Sequence, residues 1–284
     1  MTVVTRFAPS PTGDLHLGHA FSARFACDVA ARTGGRFLVR IEDIDRTRCR
    51  PQFVARNLFD LEWLGLSASE PILQQSDRME AYAAALGVLQ ELGLVYPCFC
   101  SRKQIRQEIE AAGAAPQADA GPGTLLYPGL CRDLGQTLRQ ERLMARDAYA
   151  LRLDTARASA MAGPLTWTDR MRGRHLCRPD VLGDVVIARR ELPTSYHLAV
   201  VVDDAAQGVT EVTRGEDLLE ATHVHRLLYA VLGLPEPAWH HHPLCRDAAG
   251  RRLAKRAEDV SIAALRDAGH GPDQVLAMAS AAAA

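Results

Sequence analysis

Two short segments hold the residue types that nucleotide chemistry needs. His16-Leu17-Gly18-His19 puts two imidazoles and a glycine where an extended stretch, Val3 to Ala8, gives way to helical spacing. The free N–H groups at such a helix start attract phosphate. Near the other end, Arg252-Leu253-Ala254-Lys255-Arg256 sets one ammonium on a loop preceded by Gly250. Together they read as an ATP site that joins a carboxylate to adenylate and expels pyrophosphate. The charge that grows on phosphate oxygens is then met by positioned donors. His16, Gly18, His19 and Lys255 are the candidates, with the two histidines and the lysine as catalytic groups. Composition singles out Lys255 as well, because only it and Lys103 are lysines among 33 basic residues. A compact ammonium on a flexible stem suits a pyrophosphate as a point charge.

The elements that would carry these residues follow from pattern. Val3, Val4 and Phe7 read as a buried strand that Pro9 and Pro11 stop and Gly13 turns. Apolar residues at Phe21, Phe25 and Val29 then recur at helical spacing, closed by Gly34-Gly35. In Arg36 to Glu42, alternation puts Phe37, Val39 and Ile41 on one face and Leu38, Arg40 and Glu42 on the other. Glu42 sits at the carboxyl end of that strand, where open α/β sheets bind ligands, and a carboxylate there suits an ammonium group.

In these motifs the chain resembles the class I aminoacyl-tRNA synthetases. HLGH matches their HIGH signature in full, and RLAKR matches their KMSKS loop at Leu253 and Lys255. Arg6-Phe7-Ala8-Pro9-Ser10-Pro11-Thr12-Gly13, Arg40 to Arg46 and Tyr196 to Asp204 resemble the glutamyl branch. That resemblance implies a glutamate pocket of Arg6, Ala8, Ser10, Glu42, Tyr196 and Arg214. The two arginines meet the two carboxylates. Val200 departs from the pattern, standing where asparagine is frequent, which implies an altered hold on glutamate.

Lys255 stands 29 positions before residue 284, too few for a helical anticodon-binding domain. A chain of this length has a radius of gyration of about 19 Å, which spans one end of a tRNA. A shortened glutamyl core of this kind resembles the glutamyl-queuosine tRNA(Asp) synthetases. The partners so implied are ATP with its own magnesium, L-glutamate, and tRNA(Asp) bearing queuosine in its anticodon. Three other readings stay open: a ligase charging a tRNA acceptor end, a small-molecule adenylyltransferase, which gives no reason for Arg6, Glu42 and Arg214 together, and a catalytically silent RNA-binding protein.

Cys98, Cys100, Tyr127 and Cys131 form a further group. By residue type alone, three thiols and a phenol fit either a tetrahedral zinc or buried, metal-free cysteines. The glutamyl-queuosine resemblance, with its Cys-X-Cys and Tyr-X-X-X-Cys spacings, implies one structural zinc. Ala111 to Thr124, rich in Ala, Gly and Pro, reads as a flexible link between its halves. The other cysteines are scattered without a disulfide pattern. With no signal-peptide pattern, seven thiols point to a reducing, cytoplasmic compartment.

Net charge is -1, yet residues 132–178 hold ten arginines against five carboxylates. Arg139, Arg142 and Arg146 have the spacing of one helix face that follows a phosphate backbone. Trp167 reads as core. His240-His241-His242 points to alternating faces of an extended segment leading to the Lys255 loop. After the apolar run Leu198 to Val202, Asp203 and Asp204 read as the end of a buried parallel strand. The expected fold is α/β, a Rossmann-like parallel sheet with an inserted zinc-bearing α+β subdomain and a short helical tail. Residues 1–95 and 182–237 form the two halves of the nucleotide-binding domain, 96–181 the RNA-facing insert, and 238–284 the loop and tail. A monomer is expected.

Overall fold

A computed structural model describes residues 2–101, 103–105, 107, 126–246, 253 and 260–283. The Ala111 to Thr124 link and Lys255, with Arg252, Ala254 and Arg256, lie outside the described residues.

Strand β1 (Val4–Phe7) is buried throughout and pairs in parallel with β2 (Arg36–Ile41), Val4 opposite Arg36 and Phe7 opposite Val39. β2 continues in parallel to β3 (Leu73–Gln74). The helix between the first two strands is α1 (Leu17–Ala31). Its buried line is Ala20, Ala23, Ala26 and Ala30. These short side chains let the last helix, α9 (Pro272–Ala282), pack against it through Val275, Leu276 and Ala279. At the end of α1, a Cβ on Gly35 would lie 2.0 Å from the Val3 carbonyl oxygen, so only glycine lets the chain pass into β2.

On the other side of β1, Thr210 donates its amide to the Val4 carbonyl at 3.0 Å and accepts from the Val4 amide at 2.9 Å. That seam brings in β9 (Glu211–Gly215) and its parallel neighbour β10 (Ala238–His242). β10 also meets β6 (Thr166–Asp169) in parallel, and β6 forms a hairpin with β7 (Gly173–Leu176). The parallel sheet thus takes strands from both sides of positions 181 and 237. Trp167 is fully buried in it and donates its indole N–H to His223 Nδ1 at 3.1 Å. A separate antiparallel sheet joins β4 (Val95–Cys98), β5 (Ala150–Leu153) and β8 (Val186–Arg189). Among the described residues, no helix is long and apolar enough to cross a membrane.

Two expectations change. Leu198 to Val202 belongs to a helix, α6 (Tyr196–Ala206), not to a strand. Its residues are buried on nearly every side, packed against α3 (Met79–Glu91) and α7 (Ala221–Val231). Without a polar stripe the 3.6-residue period is unreadable, and the valines bias the reading toward strand. The second concerns Arg139, Arg142 and Arg146: helix α4 (Gln136–Met144) stops before Arg146, which has φ +59°. The other two are engaged within the fold. Arg142 binds Asp147 at 2.8 Å over the Phe99 ring, and Arg139 donates to the Arg132 carbonyl at 3.0 Å.

As a helix, α6 points Asp203 and Asp204 into a buried set of charges. Asp203 accepts from Arg78 Nε and Tyr82 Oη, each at 2.7 Å, and from Gln75 Nε2 at 2.9 Å. Asp204 pairs with Arg6 at 2.9 Å and with Arg40, fully buried, at 2.8 Å. Burial pushes the Asp204 carboxyl up, but the Arg6 and Arg40 guanidiniums outweigh it and hold it below the usual carboxylate range. A depressed carboxyl supplies stability above its unfolded pKa and loses it as pH falls through the folded value. The denaturation midpoint is therefore expected to drop as pH falls below about 4. Asp204→Ala, which strands two buried guanidiniums, is expected to cost about 3–5 kcal/mol in urea unfolding at neutral pH.

Candidate functional site

The carboxyl ends of β1, β2, β9 and β10 open onto one cavity of about 580 Å³. This is the place open α/β sheets reserve for ligands. His16, Gly18 and His19 line one part of it, with Leu253. Arg6, Ala8, Ser10, Glu42, Tyr196 and Arg214 line the same cavity. Every described residue expected to hold nucleotide or amino acid is thus brought together.

His16 is the N-cap of α1. Its Nδ1 accepts from the Gly18 amide at 3.1 Å, and His19 Nδ1 accepts from the His16 amide at 3.2 Å. The two rings lie 3.9 Å apart between centroids. An accepting Nδ1 puts the proton of a neutral imidazole on Nε2. The helix start therefore orients two ring donors as well as its backbone N–H groups. Gly18 is needed for proximity: a Cβ there would lie 3.0 Å from His16 Cε1.

The far end of the chain is held against this turn. Leu253 donates its amide to the Cys245 carbonyl at 2.9 Å, Ser261 bridges to His16, and Ile262 donates to the Leu15 carbonyl at 2.8 Å. Leu253 and Ser261 flank Lys255 in sequence, and both are anchored beside His16. From β10, His242 Nε2 meets Ser22 Oγ at 3.0 Å, and Phe21 and Phe25 pack their rings on His242 and His240.

The polar end of the cavity is electrostatically uneven. Glu42 lies 3.6 Å from Arg40, and burial raises its pKa despite Arg40 and Arg6. A carboxylate so disfavoured gains from an arriving ammonium group. Arg6 is anchored by Asp204 and donates to the Thr213 carbonyl at 2.8 Å. Arg214 is held differently, by His241, His225, Thr222 and Tyr196. Burial lowers its pKa and raises that of Tyr196, which Arg214 opposes. Asp169, Thr222, His225 and His241 were not read from sequence as site residues; no spacing links groups up to 72 positions apart. Val200 is buried in the core on α6.

In the insert, the sulfurs of Cys98, Cys100 and Cys131 lie within 4.8 Å of one another, with Cys100 and Cys131 3.4 Å apart. Four ligands at zinc–sulfur distance stand about 3.8 Å apart in a tetrahedron, so the thiols fit such a cation. Tyr127 Oη is 3.7 Å from Cys100 Sγ and accepts the Cys131 amide at 2.8 Å. The phenol thus faces the thiols, as a fourth ligand must.

A family model described as tRNA synthetases class I (E and Q), catalytic domain, matches residues 2–280. A glutamyl-Q tRNA(Asp) synthetase of Rhodobacter capsulatus is 51% identical over 282 residues, covering 96% of this chain and 98% of that protein. One from Nocardia farcinica is 44% identical over 273 residues, covering 96% and 82%. A solved glutamate tRNA ligase of Elizabethkingia meningosepticum, in complex with its amino acid, superposes with TM-score 0.80 at 26% identity. It matches over 99% of this chain, which spans 60% of that structure.

Gly18→Ala crowds the His16 ring at 3.0 Å, so the ring must give by a few tenths of an ångström in its cap. It is expected to weaken ATP binding about tenfold in titration calorimetry, with little change in thermal midpoint.

Proposed function

Because the chain belongs to the class I tRNA synthetases of the glutamate and glutamine type, we propose that it activates L-glutamate with ATP and transfers the glutamyl group to the queuosine base of tRNA(Asp). One observation carries the proposal: His16 and His19 share a single cavity with Glu42, Arg6 and Arg214. Its lining pairs donors suited to a triphosphate with the cations and carboxylate suited to an acidic amino acid.

In this reading Glu42 receives the α-ammonium group, and Arg6, Arg214 and Tyr196 hold the carboxylates, with Ala8 and Ser10 shaping the wall. A carboxylate oxygen of glutamate attacks the α-phosphorus of ATP and pyrophosphate leaves. The Nε2–H groups of His16 and His19, the amides near Gly18 and the ammonium of Lys255 stabilise the negative charge on the phosphates. Magnesium enters with ATP. A hydroxyl of the RNA base then attacks the acyl carbon and AMP leaves. Positioning supplies the rate, and no enzyme nucleophile is needed. The anchoring of Leu253 and Ser261 beside His16 supports the role given to Lys255.

The same proposal divides the chain by task. Residues 1–95 and 182–237, without β8 but with β6, β7 and β10, build the nucleotide site; the rest of 96–181, with β8, presents the insert to RNA; and the residues after β10 supply the lysine loop and tail, in a cytoplasmic monomer. Cys98, Cys100, Cys131 and Tyr127 hold one structural zinc, which organises the insert and takes no part in adenylate formation.

Labelled glutamate and ATP are expected to label tRNA(Asp) carrying queuosine and to leave unmodified tRNA(Asp) and tRNA(Glu) blank. Label on tRNA(Glu) would instead make this an acceptor-end ligase. ATP–pyrophosphate exchange without RNA excludes the silent RNA-binding alternative, and Lys255→Ala is expected to slow it about 100-fold without changing the fold. Elemental analysis is expected to find about one zinc per chain. Cys131→Ser should reduce that content and speed proteolysis of the insert, with exchange retained.

A further inference from the structure

Arg214 is buried, and its neighbours take four of its N–H donors without neutralising it. A guanidinium has five N–H donors. Its Nε donates to His241 Nε2 at 3.2 Å. One terminal nitrogen reaches His225 Nδ1 at 2.9 Å and Tyr196 Oη at 3.5 Å, and the other reaches Thr222 Oγ1 at 2.6 Å. All four acceptors are uncharged groups. Among the described residues, no carboxylate lies within ion-pair distance of Arg214.

The acceptor roles fix the protons on the two rings. His241 accepts at Nε2, so its proton is on Nδ1, which meets Asp169 Oδ2 at 2.6 Å. Asp169 is itself held by the amides of Met171, Arg172 and His241 at 2.8, 2.9 and 3.1 Å. His225 accepts at Nδ1, so its proton is on Nε2, facing His197 Nδ1 at 3.1 Å. Two lines of hydrogen bonds, Asp169–His241 and His197–His225, therefore end on one guanidinium. Burial, with the Arg214 charge, keeps these rings neutral: His197 falls to about 4, His241 to about 3, and His225 well below its ordinary value.

Elsewhere beneath the cavity the charges balance. Arg6, Arg40 and Arg78 face Glu42, Asp203 and Asp204. Arg214 instead has no carboxylate in contact, and Asp169 stands behind it only across the His241 ring. We infer that His225 and His241, each steered by the group behind it, are positioning residues that aim the Arg214 guanidinium and reserve its charge for a substrate carboxylate. The inference rests on the glutamate-activating reading of the same cavity.

A histidine Nδ1 stands as many bonds from the backbone as the Oδ1 of Asn or Asp. His225→Asn therefore returns a neutral acceptor to that place and His225→Asp a charged one. ATP–pyrophosphate exchange on the full chain, varying glutamate and ATP separately, reads the difference. His225→Asp is expected to raise KM for glutamate about tenfold or more, with KM for ATP within about twofold, because the new ion pair competes with the substrate carboxylate. Its thermal midpoint should be no lower than that of His225→Asn, whose KM for glutamate is expected within about threefold of wild type. Should the 225 variants fail to fold, Thr222→Ser and Thr222→Asp repeat the comparison at the second neutral acceptor. Equal rises in the neutral and charged variants would mean packing alone and overturn the inference. So would an active wild type whose charged variants keep its KM. A wild type without glutamate-dependent exchange overturns the proposed function and this inference with it.

Discussion

The ion pairs that Asp203 and Asp204 make from helix α6 are the constraint on which the rest of the structure depends. Arg6 leaves β1, Arg40 leaves β2, and Arg78 precedes α3, so two adjacent carboxylates tie three separated parts of the chain to one helix. Buried charges are costly unless they are paired, and here each pairing also fixes an element. The strand seam, the placement of α6 and the floor of the cavity follow from the same contacts.

That floor decides what the cavity holds well. With Glu42 counted, three guanidiniums face three carboxylates there, and burial still raises the Glu42 pKa beside Arg40. Around Arg214 the partners are imidazoles and hydroxyls, chosen for geometry and not for charge. Histidine therefore plays two parts here. At the start of α1 it caps a helix through an accepting Nδ1, and around Arg214 it serves as a neutral acceptor. The thiol cluster belongs to a different part of the molecule and a different task, holding β4 to the segment around Tyr127 and Cys131.

What the residues declared by themselves was local or directly patterned. The β1 turn into α1, the alternation of β2, the place of Glu42 at its end and the His16–His19 tetrapeptide are visible because neighbours in sequence are neighbours in space. The extended His240 to His242 run was legible for the same reason, and Trp167 because a large apolar ring is more often core than surface. Tertiary structure alone decided that Leu198 to Val202 is helical, since a segment wrapped by other helices keeps no polar face from which to count a period. It also decided where α4 stops, which removes Arg146 from the expected basic face. The partners of Arg6, Arg40 and Arg214 were likewise hidden, because Arg6 meets Asp204 across 198 positions and Asp169 reaches His241 across 72. One-dimensional spacing carries information about pleats, turns and helix faces. It carries none about which buried charge will find which, because that pairing is chosen only when the sheet and its covering helices close together.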